Sequence, residues 1–368
     1  MAANVCGNFV SKKINKVRWK PTPDRHISGS DTFITGSWDD PENELALWHY
    51  PSSDDQDADL VKLASLPHVG DVTEIKFINT EFFVCSSSFG SVKLNRLVNA
   101  GMKSSWSIIE DISWNKLHYF DSAGPGEHCP CTALASFDED IVTVGEDGRM
   151  VLLTAHRKNP VRIMDGADSC SLHCVCFLKY NQVITGNLRG QLKVWDLGVQ
   201  SHQKPISTFM LSGEQIQATC ISQHPTQRHV VLVGGEDGSL TAWDLRQSRF
   251  PVTLLSAHPD AVNEVKFHPV QPEHLFTCSA SGELWHWNTA ALSAAATPGA
   301  HLNLGGMGTT QEDDGGGWLG GEASKHRLEV FSLIPALHKP INSLDVDRDS
   351  LVCGCDNEAV YLLSNIPI

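Results

Sequence analysis

The chain has no run of 18 apolar residues, which excludes a membrane-spanning helix on sequence grounds. It also has no Lys/Arg cluster. With 28 basic against 43 acidic residues the formal net charge is −15, a poor surface for neutralising phosphates, so direct nucleic-acid binding is not expected. Tyrosine is scarce, with four residues, and no aromatic cage for a modified peptide can be assembled from them. Motifs of catalysis are missing as well: no Gly-x-x-x-x-Gly-Lys phosphate loop, no His-Glu-x-x-His and no Gly-x-Ser-x-Gly elbow. The chain is therefore not read as an enzyme, and no catalytic residue, cofactor or small-molecule substrate is assigned. The opening "MAANVCGNFVSKKINK" lacks the apolar core of a secretory signal, and eleven scattered cysteines suit reduced thiols better than a disulfide framework. A soluble intracellular protein is expected.

Repetition is what the chain has in quantity. A short apolar strand, a small polar corner and a second alternating strand recur as "TVGEDGRMVLLT", "ITGNLRGQLKVWDL", "LVGGEDGSLTAWDL" and "FTCSASGELWHWNT". Weaker copies are "ITGSWDDPENELALWHY", "VCSSSFGSVKLNRL" and "LVCGCDNEAVYLLS", making seven. Aligning the corners places Asn43, Gly90, Gly148, Gly190, Gly238, Gly282 and Asn357 at one position, and Gly and Asn most readily take the positive φ of a tight hairpin. Five residues on stand Trp48, Asn95, Leu153, Trp195, Trp243, Trp287 and Leu362, mostly large and apolar. Four of the six spacings between corners lie between 42 and 48 residues, the period of a four-stranded propeller blade. Strand-like runs such as "LHCVCFL" and "VNEVKFHP" precede the corners, and others such as "PISTFML" and "PVTLL" follow the repeats. The expected fold is all-β: residues 1–368 as a single seven-bladed β-propeller.

The two ends complement each other. The last unit stops one strand short, whereas "NFVSKK" precedes the first unit without a blade of its own. Residues 9–12, beginning with Phe9 and Val10, are expected to complete the last blade and close the ring. Between units two and three, a fourth strand is expected near residues 105–112, with an inter-blade loop over 113–129. Residues 290–326 are rich in Ala and Gly and poor in β-branched residues, so they read as a flexible insertion in blade six before the outer strand "RLEVFSLI".

Individual residues then acquire structural readings. Asp147-Gly148 and Asp237-Gly238 could place acids at a site, but Asp capping its own turn is the better reading. Trp48, Trp195, Trp243 and Trp287 are expected to pack between blades rather than offer stacking platforms. His68 and His258 precede first strands and have no legible nucleophile nearby, so hydrogen bonding within the blade is expected. Cys129/Cys131, Cys174/Cys176 and Cys353/Cys355 have a spacing of two, which on a strand puts both thiols on one face as packing groups. A zinc site would want a second pair at Cys-x₂₋₄-Cys spacing, and no metal is assigned. The acidic "SSDDQDADL" at 52–60 lacks calcium-loop spacing and reads as a solvated connector.

The Trp-Asp ends and Asp-Gly corners resemble WD40 repeats. In order along the chain, "FVSKKINKVRWKP", "TFITGSWDDPEN", "IVTVGEDGR", "GQLKVWDL", "HPVQPEHLFTCSASGELWHW" and "LVCGCDNEAVY" resemble the 43-kilodalton WD-repeat nucleoporin family, which belongs to the Y-shaped outer-ring scaffold of the nuclear pore complex. The resemblance implies a non-catalytic scaffold subunit at the nuclear envelope, with other Y-complex nucleoporins as partners. It further implies support of messenger RNA and protein transport, and a place at kinetochores in mitosis and cell division. Phe89-Gly90 is the only Phe-Gly dipeptide, which excludes a transport-barrier role. No partner-binding residue follows from the sequence. The rival reading is a substrate receptor for a cullin-4 ubiquitin ligase, because "WDLR" at 243–246, from Trp243 to Arg246, resembles the Trp-Asp-x-Arg signature of such receptors. A propeller hydrolase would need a nucleophile that cannot be nominated here.

Overall fold

In the computed structural model, which describes residues 3–23, 29–50, 60–101, 106–121, 127–199, 204–247, 251–290 and 328–368, each repeat unit forms one four-stranded antiparallel sheet. Seven such sheets account for the 28 strands among the described residues. Blade one is typical, with Ile14–Trp19, Thr32–Ser37, Glu44–His49 and Val61–Pro67 paired in chain order. First strands of consecutive blades lie side by side around the axis, including that of blade seven, Ile341–Asp347, against that of blade one.

Period-two alternation turns each sheet into a two-sided wedge. One side packs against the preceding blade and the other against the next, so every hydrophobic cluster belongs to two neighbours. Phe33, Ala46 and Trp48 of blade one meet Val352, Val360 and Leu362 of blade seven, whereas Ile34, Leu45 and Leu47 of blade one meet Ile75, Phe83 and Cys85 of blade two. Trp195, Trp243 and Trp287 likewise face the blade before their own and are buried there. Their indole N–H groups do not go unmatched. Trp48, Trp195 and Trp287 donate to the Thr35, Thr185 and Thr277 hydroxyls at 2.9 Å each, and Trp243 donates to Thr241 at 3.2 Å.

Five corner glycines adopt the expected left-handed conformation, with Gly90, Gly148, Gly190, Gly238 and Gly282 at φ of 73, 71, 72, 79 and 83°. Gly238 shows why no side chain fits: a Cβ there would lie 2.0 Å from the His258 carbonyl oxygen. The two asparagines do not share the conformation. In blade seven the left-handed residue is Glu358, at φ 60°, one position after Asn357. Consequently Leu363, paired with Leu351 as Trp243 is with Val231, is the counterpart of the tryptophans, not Leu362. In blade one the connection is longer and Asp39 turns at φ 52°, while Asn43 accepts from the Ser37 hydroxyl and donates to Asp71.

Ring closure occurs through the N-terminal strand, but earlier than expected. Asn4–Phe9 pairs antiparallel with Ala359–Ser364, from Asn4↔Ser364 to Phe9↔Ala359. Val10 adds a final N–H bond to the Glu358 carbonyl at 2.8 Å and is buried, whereas Phe9 stays 71% exposed. Ser11, at φ 62°, then turns the chain into blade one, so residues 11 and 12 belong to the turn. Lys12 and Lys13 clip that turn to Asp40 and Asp39. The fourth strand of blade two, Trp106–Trp114, runs two residues into the 113–129 interval, because Trp114 is buried and donates to the Arg157 carbonyl. The Ala/Gly-rich stretch 290–326 lies, beyond Ala290, outside the described residues, as do residues 52–59 of the acidic connector; Glu329–Ile334 forms the outer strand of blade six.

Because Asn4–Phe9 is mostly exposed, its contribution comes from ladder hydrogen bonds and from sparing blade seven an open edge, rather than from buried area. Deleting residues 1–9 is expected to lower unfolding stability by about 2–4 kcal/mol in one cooperative transition. Calorimetry of the truncated chain checks this, and an unchanged Tm would contradict it.

Candidate functional site

A propeller offers three places for function: the axial channel, the face carrying the second-to-third-strand corners with the inter-blade loops, and the opposite face. In the channel, first strands alternate charged residues inward. Arg18 of blade one is buried at its centre. Its guanidinium donates to Glu74 of blade two at 2.5 Å and to both carboxylate oxygens of Glu264 of blade six at 2.7 and 3.1 Å. It also donates to Ser343 of blade seven at 3.0 Å, and the Ser343 hydroxyl donates to Glu264 at 2.7 Å. One side chain thus ties four blades across the closure seam. Burial works against its charge, but Glu264 and Glu74 outweigh burial and raise its pKa; in return Arg18 holds both carboxyls below the usual carboxylate range against their own desolvation. Lys76 and Lys266 stand 3.6 and 3.8 Å from the same carboxylates. Burial, helped by Lys266 and Arg18 and opposed by Glu74, pushes Lys76 down to about 8. A cavity of about 420 Å³ lies here, with Lys16, Glu74, Lys76, His173, Glu264 and Lys266 on its wall.

None of these channel residues is a predicted site residue. A usable signal was present in "KVRW", "EIKF" and "EVKF", where charged residues alternate with apolar ones in three first strands.

The Asp147-Gly148 corner builds an inter-blade brace. Asp147 accepts from the Arg149 amide and from His118 Nδ1 at 3.0 Å each, and from the Tyr119 amide. His118 Nε2 meets the Thr143 hydroxyl at 2.9 Å. Burial disfavours the Asp147 charge, yet the hydrogen bonds, led by that of His118, hold the carboxyl below its usual range. Asp237 caps its own corner by accepting from the Ser239 amide at 3.0 Å. His258 repeats the brace in blade six, with Nε2 2.8 Å from Thr277 and Nδ1 3.2 Å from Glu283. Because the Glu283 carboxylate can only accept, neutral His258 carries its proton on Nδ1, and Nε2 accepts from the Thr277 hydroxyl, which itself accepts from Trp287. Burial lowers the His258 pKa despite that carboxylate. His68 Nδ1 bonds the Gly70 carbonyl at 3.0 Å, and burial lowers its pKa too.

Cys174/Cys176 and Cys353/Cys355 sit on strands as expected, whereas Cys129 precedes the strand that begins at Cys131, so that pair does not share a strand face. Cys129, Cys131, Cys353 and Cys355 are fully buried, and burial pushes Cys129 up to about 12. Among the described residues, no group of three or more His, Cys, Asp or Glu is placed to hold a metal. No helix among them is long and apolar enough to cross a membrane.

Arg246 leaves the end of a third strand, Ser239–Asp244, and so lies on the opposite face from the Gly corners. Its guanidinium folds back on Asp244, with Nε at 3.0 and 3.1 Å and Nη2 at 2.8 Å, and its side chain is about half exposed.

No protein-family model matches the chain. Among curated proteins it is 37% identical to human "Nucleoporin Nup43", covering 98% of this chain and 99% of that protein. The mouse protein of the same name is 37% identical over 97% of this chain and 98% of its own length. The "Nuclear pore complex protein nup43" of Dictyostelium discoideum is 23% identical over 78% and 84% respectively.

Two outcomes follow from the buried charges. Arg18→Met strands Glu264 and Glu74 without their partner and should cost about 3–5 kcal/mol in denaturant unfolding, with part recovered when Glu264→Gln is added. The histidines set the acid response. His286 is buried 2.8 Å from His274, and burial first, then His274 and His268, push it down to about 4. Between pH 6.5 and 4 the unfolded chain binds a proton that the folded imidazole refuses, so stability is full near neutrality and falls on acidification. That group alone should remove about 2 kcal/mol by pH 5, and His224, also near 4, adds in the same direction. Unfolding curves at pH 7.5 and 5.0 check the sign; equal stability at both would contradict it.

Proposed function

The chain belongs to the Nup43 family of nucleoporins, and from that membership we propose that it is held within the Y-shaped outer ring of the nuclear pore complex by other nucleoporins of that complex. It is a scaffold nucleoporin of the nuclear pore complex, resident at the nuclear envelope. The observation that carries this is the 37% identity to human Nup43 along essentially the whole of both chains, on a ring whose seven blades leave no unit unaccounted for.

The finer reading rests on the same membership. The protein works without catalysis, supports messenger RNA and protein transport through the pore it helps build, and follows its complex to kinetochores in mitosis. A rigid ring with variable loops suits that work, since blades braced on both sides hold surface patches in fixed relation.

Affinity purification of the tagged full chain from interphase cells tests the assignment. Other outer-ring nucleoporins should be recovered in stoichiometric amounts, unaffected by Arg246→Ala. Recovery of a cullin-4 adaptor instead, lost in Arg246→Ala, would move the reading to a ligase receptor.

A further inference from the structure

We propose that the corner face of blades two and three is a docking surface for a protein segment that presents an apolar side chain flanked by lysine or arginine. The proposal deepens the scaffold reading by naming where and how a partner is held.

The starting point is a breach of corner chemistry. The residue before the left-handed position is Asp147, Arg189, Asp237, Ser281 or Asn357 in five blades, all polar, as a tight solvent-facing turn favours; in the longer connection of blade one it is Trp38, whose indole donates to Asp356 at 2.8 Å. Blade two has Phe89 there, 40% exposed. Turn formation does not call for it, and burial does not either.

Phe89 has apolar and aromatic company. Its ring stacks on the exposed His128 ring at 3.9 Å and 8°. Val69, on the loop from blade one, is 60% exposed, and its neighbour Gly70 lies against the Phe89 ring. A Cβ on Gly90 would meet the His118 and Cys129 carbonyl oxygens at 2.3 and 2.6 Å, so the chain segments that carry Tyr119 and His128 both run against this corner. Tyr119 and Phe120 are 46% and 38% exposed. All these residues lie on second-to-third-strand corners or inter-blade loops, which antiparallel topology puts on one face.

The patch is held in place before any partner arrives. The Ser87 hydroxyl donates to the Val69 carbonyl at 2.6 Å and accepts from the Phe89 amide at 3.1 Å, locking two loops together. Gly90 O accepts from the Leu117 and His118 amides. The Arg149 guanidinium lies 3.7 Å above the Tyr119 ring. A partner therefore meets a preordered surface, and little ordering entropy is lost on its side.

Charge selects the partner. Asp71 and Glu127 adjoin Gly70 and His128 in the chain, and Asp121 and Asp165 reach the patch through Arg149, which lies over Tyr119. Arg149, on the blade-three corner, is already engaged by Asp121, Asp147 and Asp165, and Lys116 is the one Lys or Arg among the described residues of the connection between blades two and three. With −15 on the whole chain, these carboxylates attract basic residues and reject acidic ones. An apolar centre with such neighbours has the anatomy of a hot spot.

The test places a photo-crosslinking phenylalanine analogue at position 89 of the full chain in cells, with the same analogue at Tyr180 on the opposite face as control. Crosslinks from position 89 should map to a segment carrying an apolar residue within a few positions of Lys or Arg. Phe89→Asn, which restores ordinary corner chemistry, should leave Tm unchanged and lower recovery of that protein at least tenfold. Glu127→Lys should lower it several-fold, and more at low salt. Crosslinks to acidic segments, crosslinks from position 180 alone, or full recovery with Phe89→Asn would each overturn the docking surface while leaving the pore assignment intact. Crosslinks from 89 to a basic, apolar segment of a protein outside the pore would keep the surface and overturn the assignment.

Discussion

Each blade is apolar on both sides, and that single constraint determines the rest. A sheet with two buried faces cannot stand at the end of a stack, because its outer face would remain in water, so the only arrangement satisfying every blade is a closed ring. The seam is where this demand is hardest to meet, since blades seven and one come from opposite ends of the chain. Three devices meet it at different radii. Near the axis Arg18 gathers carboxylates from blades two and six, between the blades Trp48 packs into the Val352 and Leu362 cluster, and on the rim Asn4–Phe9 covers the edge of Ala359–Ser364.

The axial device is the costly one. A guanidinium and two carboxylates are withdrawn from bulk water, and such groups replaced by apolar ones of equal shape often leave a protein no less stable. What the ionic version adds is geometric selectivity. Glu264 offers both oxygens to one guanidinium and accepts from Ser343 and the Leu344 amide as well, a pattern satisfied only when blades six, seven and one are in register. An apolar plug would make no such directional demand.

How legible the ring was depends on the range of the interaction. The seven units, the four strands of each, the inter-blade tryptophans and five of the corner glycines could be read because they arise from local alternation and turn chemistry. The blade-seven corner misled because Asn357 is the better left-handed residue by intrinsic preference, and pairing of Leu351 with Leu363 overrode it in favour of Glu358. The closing strand was placed late because "NVCGNF" has a glycine, two asparagines and only one β-branched residue, so its strand state is imposed by the edge it covers. Arg18 and Glu264, 246 residues apart, left only the faint mark of charges alternating in first strands. Phe89 was visible as the sole Phe-Gly pair, but its exposure beside Val69 and Tyr119 depends on loops from three blades meeting.

The tuning of the reactive groups fits a protein whose task is shape. Buried thiols such as Cys129 and Cys131 are pushed up in pKa, away from the thiolate a nucleophile or metal ligand would need. Buried imidazoles such as His224, His258 and His286 are pushed down, favouring the neutral form, and His258 is locked between Thr277 and Glu283 where a base would need an open approach to substrate. For these thiols and imidazoles desolvation is the leading cause, and it drives each toward its uncharged form. Near the axis the buried charges of Arg18, Glu74 and Glu264 are matched to one another across the seam. The same charges that are costly to bury therefore hold blades one, two, six and seven together at the axis.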